Sequence, residues 1–314
     1  MTQPVIVNQI DPEFGQTLSA HPSQPRVIDH FDRKRPWDLP GDAEVLVTRS
    51  FRSWLKAPET CDFPALKWVQ TFSAGIETYP NWLMQGRVVT NGRGLTAPQI
   101  AEYVMAALLL VEKDIYGART TSLEDWGTRV FGTLEGKSLG LIGYGAIGAA
   151  VAKRARAFDM EVLACRRGAW REVPEGITPC ASPKEVLAGS DHAVIAMPLT
   201  PETTGMVNDA LLAHAKPGLH LINVARGALV EQSALLRALD AGQLSKATLD
   251  VTHPEPPVAG DPIWTHPKVL LTPHESYKGG LSERARFEHK MLANLDAWLA
   301  GKPMTDVVDL ARGY

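Results

Sequence analysis

Cysteine is scarce in this 314-residue sequence: Cys61, Cys165 and Cys180 are the only three, and no CxxC spacing joins them. That excludes a zinc ribbon or a dithiol redox motif, fits a reducing compartment, and leaves packing as their expected role. An excess of charge of one sign is lacking too. With 32 Lys+Arg against 35 Asp+Glu the formal net charge is −3, which gives no electrostatic ground for expecting nucleic acid or an anionic membrane as partner. Long apolar runs are missing. The longest, Val104 to Val111, falls far short of the roughly 20 residues that a bilayer-spanning helix needs. The opening MTQPVIVNQIDPEF has neither a basic-then-apolar export pattern nor a lipidation motif, so a cytoplasmic location is expected. There is no internal repeat and no low-complexity stretch. The 45% hydrophobic content is that of an ordinary globular protein, here long enough for about two domains.

What is present is concentrated between Gly136 and Arg167, GKSLGLIGYGAIGAAVAKRARAFDMEVLACRR. Ser138 to Ile142 is an apolar run of strand length, Gly143-Tyr144-Gly145-Ala146-Ile147-Gly148 spells GxGxxG, Ala149 to Ala157 continues as a helix, and Glu161 to Cys165 is a second strand. In such a unit the first glycine permits a tight turn, the second lets backbone approach phosphate oxygens, and the third lets helix pack on strand. The helix start offers free N–H groups to an anion, so the segment predicts a dinucleotide site. Its second strand ends in Arg166 and Arg167, with Arg166 18 residues beyond Gly148. An acidic residue there would accept from a ribose 2′-hydroxyl, whereas arginine accommodates a 2′-phosphate. NADPH is therefore expected in preference to NADH, which stays as the alternative.

Before this unit, Val5 to Ile10, Arg26 to His30, Glu44 to Thr48, Trp68 to Phe72 and Arg87 to Thr90 read as strands of a small parallel α/β domain with short helical patterns between them. Open sheets bind ligands outside the carboxyl ends of their strands. Phe72-Ser73-Ala74-Gly75-Ile76 is thus either a nest of N–H groups for a carboxylate or an ordinary glycine turn. Arg49, in a loop without a readable motif, is either a surface residue or a substrate contact. Thr96 to Glu112 is a helix with Thr96 as N-cap and Pro98 in its first turn. After Arg167, strands at His192 to Met197, Leu219 to Val224, Lys246 to Val251 and Val269 to Leu271 alternate with helices at Ser182 to Ala188 and Gln232 to Ala241. That is the second half of a doubly wound sheet. A long helix spans Gly280 to Gly301, and a tail from Asp306 to Tyr314 closes the chain. Arg226, Glu255 and His274 each follow a strand of this half. Together they form a cation, a carboxylate and a proton carrier, the set that reduction of a carbonyl next to a carboxylate requires.

At these motifs the chain closely resembles the D-2-hydroxyacid dehydrogenase family, over nearly all of its length. GKSLGLIGYGAIG is similar to the family's nucleotide fingerprint, NVARGALVE to its arginine motif, LDVTHPEP to its glutamate motif and TPH to its histidine motif. SAGIE resembles its substrate-carboxylate loop, and MPLTPETTGMV the loop beneath the nicotinamide. The length, the SAGIE loop and the ending VDLARGY are most similar to the glyoxylate/hydroxypyruvate reductase branch. The resemblance implies an α/β protein in which a doubly wound, parallel-sheet (Rossmann) cofactor domain, residues 97–281, is inserted into a smaller flavodoxin-like substrate domain. The latter is split over residues 1–96 and 282–314, with the site in the cleft between the two, and the assembly is a homodimer.

The implied reaction is NADPH-dependent reduction of small 2-oxo acids, such as glyoxylate and hydroxypyruvate, to 2-hydroxy acids. His274 would donate the proton, with Glu255 holding its ring and favouring the protonated form. Arg226 would bind the substrate carboxylate and carbonyl oxygen, and the N–H groups of Ala74 and Gly75 would complete the clamp. Asp250 would hold the nicotinamide carboxamide. Pro198, Thr203, Val224, Ala225, Arg226, His274 and Ser276 are the cofactor contacts implied beyond the glycine turn and the arginine pair. No metal is expected. Two departures from the family pattern, Thr252 in place of an aromatic and Glu275-Ser276-Tyr277 in place of small apolar residues, bear on side-chain preference. Two other functions share the motifs: a phosphoglycerate-dehydrogenase-like enzyme, disfavoured by the arginine pair and the absence of a regulatory domain, and a dinucleotide-sensing corepressor that binds protein partners. Formate dehydrogenases carry glutamine where this chain has Glu255.

Overall fold

The structure, a computed structural model, describes residues 3–127, 129–279 and 281–313, with Leu281 described by its backbone alone. The chain divides into two compact units, Met1–Leu95 with Gly280–Tyr314, and Thr96–Gly279. The first opens with β1 (Val5–Asn8), α1 (Pro12–Ser19), β2 (Arg26–Asp29), β3 (Val45–Thr48), β4 (Trp68–Thr71), α2 (Asn81–Met84) and β5 (Val88–Thr90). The second runs α3 (Ala97–Lys113), β6 (Ser138–Ile142), α4 (Ala146–Arg156), β7 (Glu161–Cys165), β8 (Ile177–Pro179), α5 (Pro183–Gly189), β9 (His192–Ile195), α6 (Asp209–Leu212), β10 (Leu219–Asn223), α7 (Gln232–Asp240), β11 (Leu244–Leu249) and β12 (Val269–Leu271). Helix α8 (Leu281–Leu299) then returns to the first unit. Gly280 and Tyr314, at the ends of the expected last helix and tail, lie outside the described residues.

In the first unit the strands lie in the order β2-β1-β3-β4-β5, all parallel, the 2-1-3-4-5 arrangement of flavodoxin-like sheets. Successive side chains point to opposite faces. Val7, Leu46 and Val69 enter one apolar core, while Ile6, Val45, Val47 and Trp68 enter another. Helix α8 covers the second core with Phe287, Met291 and Leu295, spaced four apart on one stripe and all fully buried. Each such side chain withdrawn from water contributes about 1.5–3 kcal/mol.

The second unit has a seven-stranded parallel sheet in the order β12-β11-β10-β9-β6-β7-β8. Counted from β6, this is the doubly wound 3-2-1-4-5-6 arrangement with one added strand. The order reverses between β6 and β9, the switch point where such sheets bind ligands. Helices α3 and α4 bury Val104, Leu108, Val151 and Ala155 on one face, and α5 and α7 bury Val186, Leu187, Leu235 and Leu239 on the other. Strands β6, β7 and β12 have the ends read from sequence. The segments expected as His192 to Met197 and Lys246 to Val251 leave the sheet two residues earlier: Met197 packs against the apolar core and Val251 is buried, but neither extends a ladder. Strand β8 was not expected: three residues ending in proline show no alternation, and it exists by pairing Val162 with Ile177 at the sheet edge, where proline is tolerated. Thr96 takes the N-cap position of α3, but its side chain makes no capping bond.

Two buried histidines cross between strands. His192 Nδ1 and His220 Nδ1 lie 3.1 Å apart, and His220 Nε2 is 2.9 Å from Thr248 Oγ1. A hydrogen bond between two ring nitrogens needs one to carry the hydrogen and the other to be bare, so the contact holds with both rings neutral. Burial, with His192 and Lys246 adding to it, pushes the His220 imidazole down to about 3. The unfolded chain then binds the extra proton first, and this residue's stabilisation is lost as pH falls below the unfolded value of about 6.5. The linkage amounts to about 1.4 kcal/mol between pH 7.5 and 5.5. Urea unfolding at the two pH values is expected to show this loss in the wild type and a loss smaller by about that amount in His220→Gln. Equal acid sensitivity of the two proteins would contradict it.

Candidate active site

The glycine turn sits at the switch point. Gly143 follows β6 with φ of +109°, and a Cβ there would lie 2.6 Å from the carbonyl oxygen of Ala196, just past β9. Any other residue would be strained and would collide with the neighbouring strand's exit. A Cβ on Gly148 would meet the Gly143 carbonyl at 2.5 Å, so the third glycine does bring helix against turn. At Gly145 nothing lies within 4 Å of where a Cβ would be, and Gly145 and Ala146 are exposed. Helix α4 starts at Ala146, inside the motif and earlier than expected, with Gly145 as its cap. Its first N–H groups have no partner within the helix, and open space adjoins Gly145 at the helix start. The turn thus fits a dinucleotide's pyrophosphate: donors, room and a helix dipole end coincide.

Tyr144 and Ile147 of the motif are half-buried. Tyr144 packs on Trp170, ring centroids 5.1 Å apart, and the guanidinium of Arg166 stands 5.5 Å from the centre of the Trp170 ring. Arg166 and Arg167 are both exposed beyond the end of β7. Trp170 was not singled out from sequence; no motif marks it, and only folding places it beside both the turn and the arginine. Across the switch point, the Thr203 hydroxyl accepts from Thr200 N at 2.7 Å and donates to the Pro198 carbonyl at 3.0 Å. That hydroxyl is used to shape the loop after β9. Pro198 is exposed, whereas Val224 and Ala225 are buried at the exit of β10.

Arg226, Glu255 and His274 follow β10, β11 and β12, three adjacent parallel strands, and so reach one edge of the sheet. Arg226 is half-buried, with Nη1 donating to the Ala225 carbonyl at 2.8 Å. The turn after it approaches the β11 loop so closely that a Cβ on Gly227 would sit 1.9 Å from the Thr252 carbonyl carbon. His274 and Glu255 are brought together: Nδ1 lies 2.7 Å from Oε1, with side-chain exposures of 35% and 38%. One ring nitrogen is therefore held by a carboxylate, and among the described residues nothing bonds Nε2. The Tyr277 ring stands edge-on to the imidazole at 5.7 Å, so this departure from the family pattern falls directly on the histidine.

Asp250 is 1% exposed and accepts three hydrogen bonds: from Thr272 Oγ1 at 2.7 Å, Glu275 N at 2.9 Å and Ser276 N at 3.0 Å. It fastens the segment on both sides of His274, whose own φ is +53°, a conformation that costs energy and persists where neighbours fix it. Thr272 Oγ1 also lies 2.8 Å from the hydroxyl of Tyr103 on α3. Since the single hydroxyl hydrogen of Thr272 goes to Asp250, Tyr103 is the donor in that pair. Burial pushes the Tyr103 phenol up. Sequence reading placed Asp250 as a carboxamide anchor and missed Tyr103 and Thr272.

In the first unit the loop after β4 has its carbonyls spoken for. The Ser73 oxygen accepts from Thr71 Oγ1 at 2.8 Å and Gly92 N at 2.9 Å, Ala74 O from Asn91 Nδ2 at 2.7 Å, and Gly75 O from Ser73 Oγ at 2.9 Å. Among the described residues no acceptor bonds the N–H groups of Ala74 and Gly75. With its oxygens turned into the protein, the loop presents nitrogen donors, which favours the nest over a plain turn.

A parallel sheet with a dinucleotide turn at its switch point and a histidine–carboxylate pair at neighbouring strand ends defines a class, the doubly wound nucleotide-binding α/β proteins. Residues 104–276 match the family described as D-isomer specific 2-hydroxyacid dehydrogenase, NAD binding domain. The chain belongs to the D-isomer specific 2-hydroxyacid dehydrogenase family, and its similarity runs to the glyoxylate/hydroxypyruvate reductase branch. It is 36% identical over 183 residues to glyoxylate/hydroxypyruvate reductase A of Serratia proteamaculans, a match covering 56% of each chain. The chain spans about half the length of the first curated relatives it matches. In fold it is similar to a D-isomer specific 2-hydroxyacid dehydrogenase from Xanthobacter autotrophicus in complex with NADPH and MES (TM-score 0.82, 26% identity, all of both chains). It is also similar to the NADPH-dependent glyoxylate/hydroxypyruvate reductase of Sinorhizobium meliloti in complex with NADP and sulfate (TM-score 0.79, 25% identity, all of both chains). Among the described residues no helix is long and apolar enough to cross a membrane.

Proposed function

We propose that this protein reduces small 2-oxo acids, glyoxylate and hydroxypyruvate among them, to 2-hydroxy acids in the cytoplasm, with NADPH preferred over NADH. The observation that carries the reading is the 2.7 Å contact between His274 Nδ1 and Glu255 Oε1 at the edge of the sheet that holds the glycine turn. The second unit is then the dinucleotide-binding domain and the first the substrate-binding domain. The turn 143–148 would hold the pyrophosphate and Arg166 and Arg167 the 2′-phosphate. When bound, the nicotinamide supplies the hydride. The chain supplies the rest: His274 Nε2–H gives its proton to the developing alkoxide oxygen, and Glu255, accepting at Nδ1, fixes the ring and balances its charge. Arg226 offers its fork to carboxylate and carbonyl oxygens. The N–H groups of Ala74 and Gly75 take a carboxylate oxygen. Asp250, its oxygens already engaged, keeps His274 in place. Steady-state assays of 2-oxo acids with both cofactors test the proposal; no turnover of any 2-oxo acid with either cofactor would overturn it.

We also propose a homodimer. Between α3 and β6 the chain exposes Ile115 (74%), Leu123 (84%), Trp126 (80%) and Val130 (98%) in one connection, more apolar surface than a monomer's loop ordinarily leaves in water. A second copy of this chain would cover it. Sedimentation of the wild type is expected at twice the chain mass, and of Leu123→Lys/Trp126→Lys at the monomer mass. An unchanged dimer in the variant would place the interface elsewhere.

A further inference from the structure

The two N–H groups of the loop after β4 owe their direction to a buried corner of the chain just past β5. In a planar trans peptide the C=O and the N–H that follows it point opposite ways. The Ser73 carbonyl is held by Gly92 N at 2.9 Å and by Thr71 Oγ1 at 2.8 Å, so the Ala74 N–H points away from both. The Ala74 carbonyl is held by Asn91 Nδ2 at 2.7 Å, so the Gly75 N–H points away as well. Two successive donors are thereby turned from residues 91 and 92, the arrangement in which backbone N–H groups cradle an anion.

Asn91 can do this in one orientation only. The residue is buried, its N–H donates to the Asp306 carbonyl at 3.1 Å, and its Oδ1 accepts from Arg93 N at 3.2 Å. With an N–H on one side of the amide and a carbonyl on the other, turning it over would set donor against donor and acceptor against acceptor. Gly92 closes the corner. A Cβ there would lie 1.8 Å from the Phe72 carbonyl oxygen, so a larger residue would push the exit of β5 off the loop.

We propose that Asn91 is a positioning residue for the substrate carboxylate: its amide locks the 74–75 peptide so that the Gly75 N–H faces the 2-oxo acid. This rests on the reading of the protein as a 2-oxo acid reductase. Buried as it is, Asn91 acts through the loop and not on the substrate itself. Thr71 and Gly92 do the same for the Ala74 N–H through the Ser73 carbonyl. Asn91→Asp keeps the shape of the side chain but offers acceptors alone. Its carboxylate repels the Ala74 carbonyl and attracts the Gly75 N–H, so the peptide turns over and shows the substrate an oxygen.

The probe is oxamate, a carboxylate next to an amide carbonyl that takes up no hydride, titrated calorimetrically into NADPH-loaded wild type, Asn91→Asp and Asn91→Leu. Loss of a hydrogen bond to a carboxylate should raise the oxamate Kd about tenfold or more in Asn91→Asp, and by a smaller factor in Asn91→Leu, which frees the peptide without reversing it. The KM for glyoxylate should rise in step, kcat should change less, and the Kd for NADPH should stay that of the wild type. A purely structural asparagine would lower Tm and leave the oxamate Kd alone; that result, in either variant, would overturn the proposal. Where Asn91→Asp fails to fold, Asn91→Leu carries the same test. If the wild type neither bound oxamate nor reduced any 2-oxo acid, the reductase reading would fail instead. A crystal structure of an Asn91 variant would then still decide on the lock, a 74–75 peptide in its wild-type orientation counting against it.

Discussion

Replacing His274 with alanine is expected to lower kcat by about 100- to 10,000-fold, the usual range for loss of a general acid, while the Kd for NADPH stays near that of the wild type. The first half follows from the proposed role of the imidazole, whose one nitrogen is held by a carboxylate at 2.7 Å while among the described residues nothing bonds the other. The second half follows from placement, because the glycine turn and arginine pair stand at β6 and β7, separated from β12 by β9, β10 and β11. Glu255 acts through His274, so adding Glu255→Gln to His274→Ala should cost little more than His274→Ala alone. Stopped-flow turnover with cofactor titrated by fluorescence measures both quantities. A variant that turned over within a fewfold of wild type would remove His274 from the mechanism.

Arg166→Asp should reverse the choice of cofactor. Charge-assisted hydrogen bonds to a phosphate are worth roughly 1.5–3 kcal/mol, or about 10- to 100-fold. Since both arginines are exposed, screening puts the expected wild-type preference near the lower end, about tenfold for NADPH over NADH in kcat/KM. An aspartate at 166 accepts from a 2′-hydroxyl and repels a 2′-phosphate, so both terms change sign. The ratio should then favour NADH, and the wild-type preference should shrink as salt is raised. Trp170 bears on the outcome, because its ring steadies the Arg166 side chain. Equal use of both cofactors by the wild type, or an unchanged ratio in the variant, would mean that the pair merely faces water.

Much of this was legible in sequence because it is local. The glycine spacing, the strands flanking it and the residues beyond strand ends are read over a few positions, and backbone sterics turn such spacing into one geometry. Helix α4 begins earlier than read because glycine and alanine look like a loop by composition, although Gly145 can cap a helix without a side chain. The rest depended on distant partners. Tyr103 meets Thr272 across 169 residues, and no periodicity announces it. Arg49 was open between surface and substrate, since whether a lone arginine finds an acceptor is decided by neighbours from β4 and α8. Asp250 was recognisable as important, but its three donors come from a segment more than twenty residues later.

The chain of hydroxyls behind His274 has a direction, from Tyr103 to Thr272 to Asp250, and with one hydrogen per link it cannot be reversed. A residue without a donor at 103 would leave Thr272 with a bare lone pair. One without a hydroxyl at 272 would strip Asp250 of an acceptor bond and Tyr103 of its acceptor. Three positions lying apart in the chain are therefore coupled through shared hydrogens. In descendants of this protein, exchange at any of them should come with compensating exchange at the others.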